Sequence, residues 1–431
     1  MPGWTNLYNL ITEELIQMSQ EGYDVSDFRE SFNEQSNKEE LLDIYNKLQS
    51  LTPNTDFPYI EPSDLESIRK ESTGSEKKSV KIDDEYKNKV KGAWLGRIAG
   101  CMLGKNVEGW TKNEIREYLM AISEYPLTNY IPYKEISGLN KLPQKASSRG
   151  MWQNALIDDD TNYTVLALKL MENKGPDFTT MDVGNAWLEN LPYMAVCTAE
   201  RQAYMNLINE LPIEEVNLYL NPYREWIGAQ IRADFWGYVC PGDPERASEF
   251  AYRDAKLSHV KNGIYGEMFC AAAISAALVE DNLENIIKTG LSVIPAKSRL
   301  AETVNDCIRW KDECSDWESA FDKMMNTYYG KYNWVHTNNN LAVVLLALIY
   351  GFPDFEKVLC YSVMMGLDTD CNGATCGSII GGFLGADALP DKWIKPLGGC
   401  LETSLTGFQK PNIDELAERT FQQALRINNQ S

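Results

Sequence analysis

Glycine recurs at every fourth position in two separate stretches of the chain. KGAWLGRIAGCMLGKNVEGW (91–110) carries Gly92, Gly96, Gly100 and Gly104, and GLDTDCNGATCGSIIGGFLG (366–385) carries Gly373, Gly377, Gly381 and Gly385. A glycine inside a helix costs about 0.5–1 kcal/mol against alanine, so a helix that holds several needs an offset. Residues four apart form a ridge on one helix face, and a bare ridge lets a second backbone come close. The same spacing serves dimerisation inside membranes. Here Arg97 interrupts the first stretch, and the longest apolar run, Leu341 to Tyr350, is too short to span a bilayer. The repeats therefore predict two closely packed core helices, each other's neighbours among the candidates. The glycines themselves position a site and do no chemistry.

The rest of the pattern is helical too. MFCAAAISAALV (268–279) and NLAVVLLALIYG (340–351) are apolar on every face, as buried helices are, and the second is stopped by Gly351 and Pro353. No series of short β-branched strands alternates with them. The expected fold is all-α, a compact multi-helix domain over 86–431 behind a small helical extension and charged linker over 1–85. In the extension Leu7, Leu10, Ile11 and Leu15 share a helical face, and Ser36 to Glu39 has the form of a capping box. With 62 acidic against 41 basic side chains the net charge is −21. Nucleic acid and anionic membrane are poor partners for such a surface. The N-terminus lacks a basic segment followed by an apolar one, so no signal peptide is read. Ten cysteines without regular spacing suit a reduced, cytoplasmic protein.

Chemistry concentrates in the acids. Asp158, Asp159 and Asp160 stand together in ALIDDDTNYTVLALKL, and Asp368 and Asp370 in GLDTDCNG, each group at the start of an apolar helix. One aspartate there would be an N-cap. Two carboxylates about 4 Å apart repel by about 4 kcal/mol at an effective dielectric near 20, and a helix dipole returns about 1 kcal/mol. Either the acids share protons, or divalent cations lie between them. Oxygen ligands without a nearby histidine favour a hard ion, Mg²⁺ with Mn²⁺ or Ca²⁺ as substitutes, over zinc.

GAWLGRIAGCMLGKNVEG, IDDDTNYT and GLDTDCNGATCGSIIGGFLG, in this order, resemble the ADP-ribosylglycohydrolase family over roughly residues 86–400. The resemblance implies an all-helical fold with two divalent metals, usually magnesium, in a cleft. Its first metal motif, Thr-Asp-Asp-Thr, falls on Asp158, Asp159, Asp160 and Thr161, with Asp158 in the place of threonine. Its second, Asp-x-Asp followed by Ser or Thr, falls on Asp368, Asp370 and Cys371. Cysteine is a poor ligand for magnesium, so Cys371 either makes one weaker contact or does not coordinate. The family's glutamate after the first glycine-rich helix, beside the metals on a mobile segment, corresponds to Glu108.

The resemblance also implies substrate contacts at Gly104 and at His259, Asn262, Gly263 and Tyr265 in RDAKLSHVKNGIYGEMF. The last three are expected to offer backbone amides to phosphate or ribose ahead of the next helix. Arg201, Arg224 and Arg232 are expected to pair with surplus acids. The expected activity is a metal-dependent glycohydrolase cleaving a ribose C1″ bond, on an ADP-ribosylated side chain or a small ADP-ribosyl or ribosyl compound. Asp159, Asp160, Asp368 and Asp370 would hold the ions. Glu108, or an acid of the Asp158 group, would handle a proton. The rival readings are a dimetal nucleotide phosphohydrolase and a non-catalytic ligand-binding protein on the same scaffold.

Overall fold

The computed structural model describes residues 3–328 and 330–428. Met1, Pro2, Tyr329 and residues 429–431, which the sequence-derived domain boundaries include, lie outside the described residues. The two glycine ridges face each other. Helix Asp84–Gly104 and helix Thr369–Leu384 run antiparallel with backbone against backbone. A Cβ added to Gly92, Gly96, Gly100 or Gly104 would fall 2.3, 2.0, 1.8 or 2.1 Å from the carbonyl oxygen of Gly381, Gly377, Gly373 or Thr369, in that order. Gly385, the last member of the second repeat, serves differently: it ends the helix at φ +79° and its N–H caps onto the Gly381 carbonyl.

Around this pair the described residues form nineteen α-helices and no strand, an all-α architecture. Helix Lys261–Ala277 and helix Thr337–Gly351 are buried along almost their whole length, as their unbroken apolar character requires. The second ends at Gly351, as expected. The first starts seven residues ahead of the apolar run, at Lys261. No helix among the described residues is long and apolar enough to cross a membrane.

In the extension, helix Leu7–Gln20 and helix Lys38–Gln49 bury Ile11, Leu15, Met18, Leu41, Tyr45 and Leu48 in a small apolar cluster of their own. The capping box lies one residue later than the sequence suggests, on Asn37 and Glu40. Buried ion pairs fasten the extension to the rest of the chain. Arg224 meets Glu14 at 2.7 Å and Glu21 at 2.8 Å, and Arg299 meets Glu61 at 2.6 Å.

Candidate active site

Antiparallel pairing sets the end of one glycine helix beside the start of the other. Thr369 Oγ1 donates to the Gly104 carbonyl at 2.8 Å. The Gly109 N–H donates to the Leu367 carbonyl, and the Leu367 N–H to that of Trp110, both at 3.0 Å. Glu108 and the Asp368–Asp370 turn are thereby held together across 260 residues of sequence. The turn itself is strained, since Leu367 sits at φ +66°, a left-handed conformation a leucine rarely takes. Asn340, from the Thr337 helix, steadies it: its Oδ1 accepts from the Asp368 N–H at 3.3 Å and from Asn372 Nδ2 at 2.8 Å.

The third group of acids arrives through Arg97, fully buried on the first glycine helix. Its Nε donates to the Asp160 carbonyl at 3.0 Å, and its Nη1 pairs with Asp234 at 2.6 Å. Asp158 caps helix Asp159–Lys174, its Oδ1 accepting from the Asp160 N–H at 3.0 Å, while its Oδ2 binds Lys105 Nζ. Both carboxylate oxygens of Asp158 are thus engaged. The extra negative charge at this position is matched by a lysine three residues ahead of Glu108.

Three overlapping sets of donor atoms result, each with all its atoms within 4.8 Å of one another: Asp158, Asp159 and Asp160; Asp160, Asp370 and Cys371; and Glu108, Asp368 and Asp370. Asp370 belongs to two of them. Asp160 Oδ1, Asp368 Oδ1 and Asp370 Oδ1 are buried without a hydrogen-bond partner among the described residues, although Arg97 stands 3.5 Å from the first. Such crowding resists ionisation. The Asp370 charge and burial push Glu108 up to about 9, burial and Asp158 push Asp159 up to about 8, and burial and Asp158 push Asp370 up to about 6. Burial and neighbouring aspartates raise Asp160 and Asp368 well above the carboxylate range. Asp158 alone goes the other way: burial opposes its charge, but Lys105 outweighs burial. The unpartnered oxygens and the reluctance of their carboxyls to ionise fit a hard divalent cation, which would supply the missing charge. Cys371 is a thiol kept protonated by burial and by Asp160, and its Sγ lies 3.2 Å from Asp160 Oδ2 as a donor. That makes it a support for Asp160 and a poor magnesium ligand.

Glu108, Asp158, Asp159, Asp368 and Asp370 line a cavity of about 320 Å³, with Trp4, Cys197, Glu200, Trp226 and Trp334 also in its wall. The residues expected to contact substrate are elsewhere. Gly104 is buried against the Thr369 backbone. His259 is wholly buried, with Nδ1 2.8 Å from Ser258 Oγ. Asn262, Gly263 and Tyr265 lie inside the Lys261 helix, not in a loop ahead of it. Its N-terminal amides already face anions of the chain, because the Asn262 N–H donates to Glu225 at 3.0 Å. Asn262 Nδ2 donates to Glu61 at 2.8 Å, and Tyr265 Oη to the Pro62 carbonyl. The extension, which the family resemblance does not reach, covers this stretch. Arg224 and Arg232 pair with acids as expected, Arg232 with Glu200 at 2.7 Å and Asp254 at 3.1 Å. Arg201 instead donates to the Val196 carbonyl at 2.8 Å and stacks over the rings of Trp4 and Tyr193. Sequence reasoning missed Lys105, Asn340, Trp4 and Trp334, whereas Cys197 and Trp226 belong to segments (197–207 and 221–244) whose composition suggests the leaving-group side. No local signal marks Lys105 as the partner of Asp158, since Arg149 and Lys169 are both nearer in sequence.

A family model described as ADP-ribosylglycohydrolase matches residues 82–429. No curated protein matches the chain. Among solved structures, one described as an ADP-ribosylglycohydrolase-related protein complex is similar at 19% identity and a TM-score of 0.48, the match covering 79% of this chain and 100% of that one.

Proposed function

The chain belongs to the ADP-ribosylglycohydrolase family and is a hydrolase of glycosidic bonds, and from that premise we propose that it cleaves a ribose C1″ bond with the help of two divalent ions, magnesium by preference. The observation that carries this reading is the convergence of carboxylates from three distant segments on one cavity, with buried oxygens left without partners. Asp159, Asp160, Asp368 and Asp370 would hold the ions. When bound, the ions supply fixed positive charge beside the ribose hydroxyls, an oriented water, and an offset to the charge changes of an oxocarbenium-like transition state.

The chain's own groups do the rest. Glu108 lines the cavity with its carboxyl set beside Asp368 and Asp370, and the Asp370 charge raises its affinity for protons, which suits a group that moves a proton. The C1″ bond to the leaving atom breaks, a bond from C1″ to the water oxygen forms, and Glu108 carries the water's proton to the leaving atom where that atom requires one. Lys105 and Cys371 hold Asp158 and Asp160 in position. We read residues 1–85 as an extension outside the catalytic domain of 86–431, a division supported by its separate apolar cluster and by the family match beginning at residue 82.

The test is incubation with arginine-, serine- and O-acetyl-linked ADP-ribose and with simple ribosyl compounds, with and without chelator, followed by mass spectrometry. Ion-dependent release of a ribosyl product supports the proposal. Release of inorganic phosphate, or turnover undiminished by chelation, refutes it.

A further inference from the structure

The cavity's other wall is aromatic, and part of it comes from outside the family domain. Trp4, in the short turn Gly3–Thr5, lines the same space as Glu108, Asp159, Asp368 and Asp370. Its position is built. The Trp4 carbonyl accepts from Gln202 Nε2 at 2.8 Å and from Tyr223 Oη at 3.2 Å, and the Arg201 guanidinium lies 5.0 Å from its ring centre. Trp226 packs in the same small cluster, 4.6 Å from the Tyr223 ring. Trp334 is 42% exposed, and a Cβ added to Gly109, next to Glu108, would lie 3.5 Å from its ring. A large indole left open to solvent beside a cluster of acids has surface to offer a ligand.

Two further features restrict what that ligand is. The only cation among the described residues lining the cavity is Lys105, already bound to Asp158, against the carboxylates of Glu108, Asp158, Asp159, Glu200, Asp368 and Asp370. A pyrophosphate would find no free side-chain cation there. The helix N-terminus that could have held one is taken by Glu225, and Glu61 of the extension holds the Asn262 side chain, the Arg299 N–H and the Arg299 guanidinium. The enclosed space is also near the small end of ligand pockets.

We propose, on the basis of the function given above, that the extension makes Trp4 a specificity-determining wall of the active site, and that the substrate is a phosphate-free ribosyl compound whose leaving group is a flat nitrogen heterocycle stacked on the indoles. The indole faces favour a cationic ring, since the face of an indole attracts positive charge. A cationic ring leaves as the neutral heterocycle when the C1″–N bond breaks, and the water that adds to C1″ releases its proton to Glu108 and on to solvent. A neutral ring takes that proton on nitrogen.

The experiment uses the full chain with magnesium and four probes: nicotinamide riboside, adenosine, ADP-ribose and D-ribose, titrated calorimetrically and followed for cleavage by mass spectrometry. The wild type is expected to bind both ring-bearing nucleosides more tightly than ribose, and ADP-ribose no more tightly than adenosine. Trp4→Ala is expected to weaken the ring-bearing probes about tenfold, as loss of one aromatic stacking partner does. It should change ribose binding less than twofold, and Trp4→Phe should restore most of the loss. An equal loss for ribose and nucleosides, no loss, or ADP-ribose binding ten times tighter than adenosine overturns the inference. If the wild type cleaves ADP-ribosyl compounds alone and Trp4→Ala is indifferent, the inference falls while the proposed function stands. If no probe and no ADP-ribosyl compound is bound or cleaved with magnesium, both fall.

Discussion

Replacing Gly100 by alanine tests whether the backbone-to-backbone packing of the two glycine helices sets the site. The added Cβ would sit 1.8 Å from the Gly373 carbonyl oxygen, where an ordinary contact begins at 3.4 Å. The backbones must therefore part by up to about 1.6 Å (3.4 minus 1.8), because neither atom belongs to a side chain that can turn away. Overpacking of this kind costs about 3 kcal/mol, and alanine returns up to about 1 kcal/mol of helix propensity, leaving a net loss of about 2 kcal/mol. An unfolding entropy of about 2.1 cal/mol/K per residue over a domain of about 350 residues turns that into a fall in Tm of about 3 °C. Gly382→Ala is the control on the same helix pair. Its Cβ would meet Leu278 Cδ2 at 3.3 Å and Ala93 Cβ at 3.5 Å, so its Tm should stay within about 1 °C. The parting also displaces Glu108 from Asp368 and Asp370, and a shift of about 1 Å at a reacting centre costs about a hundredfold in rate. Thermal melts and magnesium titrations of both variants check this. A Gly100→Ala protein as stable as the wild type, with unchanged magnesium affinity, would refute the packing argument.

In the ion-free protein Asp370, Asp159 and Glu108 hold protons up to about 6, 8 and 9, above their unfolded values of 3.8, 3.8 and 4.5. Their contribution to stability is complete below about pH 4 and is lost as pH rises through 6 to 9. Magnesium stabilisation, read as a Tm shift against a chelated sample, should therefore grow from pH 6 to pH 9, and a shift constant over that range would contradict the site. Asp370→Asn removes one of the two carboxylates, with Asp160, that belong to two donor sets. It should stabilise the ion-free protein by about 1 kcal/mol of relieved repulsion, read as a rise in Tm, while abolishing the magnesium shift. Lys105→Met strands the buried Asp158 charge and should cost about 3 kcal/mol, the low end for a broken buried pair because the Lys105 side chain keeps 22% exposure. Adding Asp158→Thr should recover most of that loss in denaturant titrations, and a strictly additive double mutant would show that the pair is not coupled.

The helical class and the close pairing were legible because both follow from local rules. A four-residue glycine repeat can be satisfied only by another backbone, and helices apolar on all faces must be buried. The acids were legible for a similar reason. Adjacent carboxylates at a helix start carry a cost that no local partner removes, so the sequence itself signals that something distant must compensate. What stayed hidden was which distant group does so. Asp158 reads like the other acids in the chain, yet Lys105, 53 residues away, turns it into half of an ion pair. Asn340 is one of three consecutive asparagines in the first turn of an otherwise apolar helix, and nothing in that run distinguishes the one that holds the Asp368 turn.

The residues expected to contact substrate lie away from the acid cavity for a more instructive reason. Asn262, Gly263 and Tyr265 do begin a helix whose N-terminus attracts anions, so the physical premise was sound. The chain satisfied it internally. Glu225 reaches the amide end, and Glu61 reaches Asn262 and Arg299 from a segment with no helical pattern and no counterpart in the family domain. A helix N-terminus advertises an anion site without saying whether the anion is a ligand or a side chain, and only the fold decides between them. On the inference drawn above, that decision would also bear on function. Glu225 fills the anion site at the helix end, while the extension brings Glu61 to Asn262 and Arg299 and carries Trp4 to the cavity, so one segment adds a carboxylate beside that site and supplies an aromatic contact. A family domain with this extension replaced should then regain affinity for phosphate-bearing ligands as it loses affinity for bare heterocycles. The narrower form of that experiment is Glu61→Gln, which loosens the hold on Arg299 without touching Trp4. It should strengthen ADP-ribose binding relative to adenosine, and a ratio unchanged from the wild type would mean that Glu61 is a strut alone.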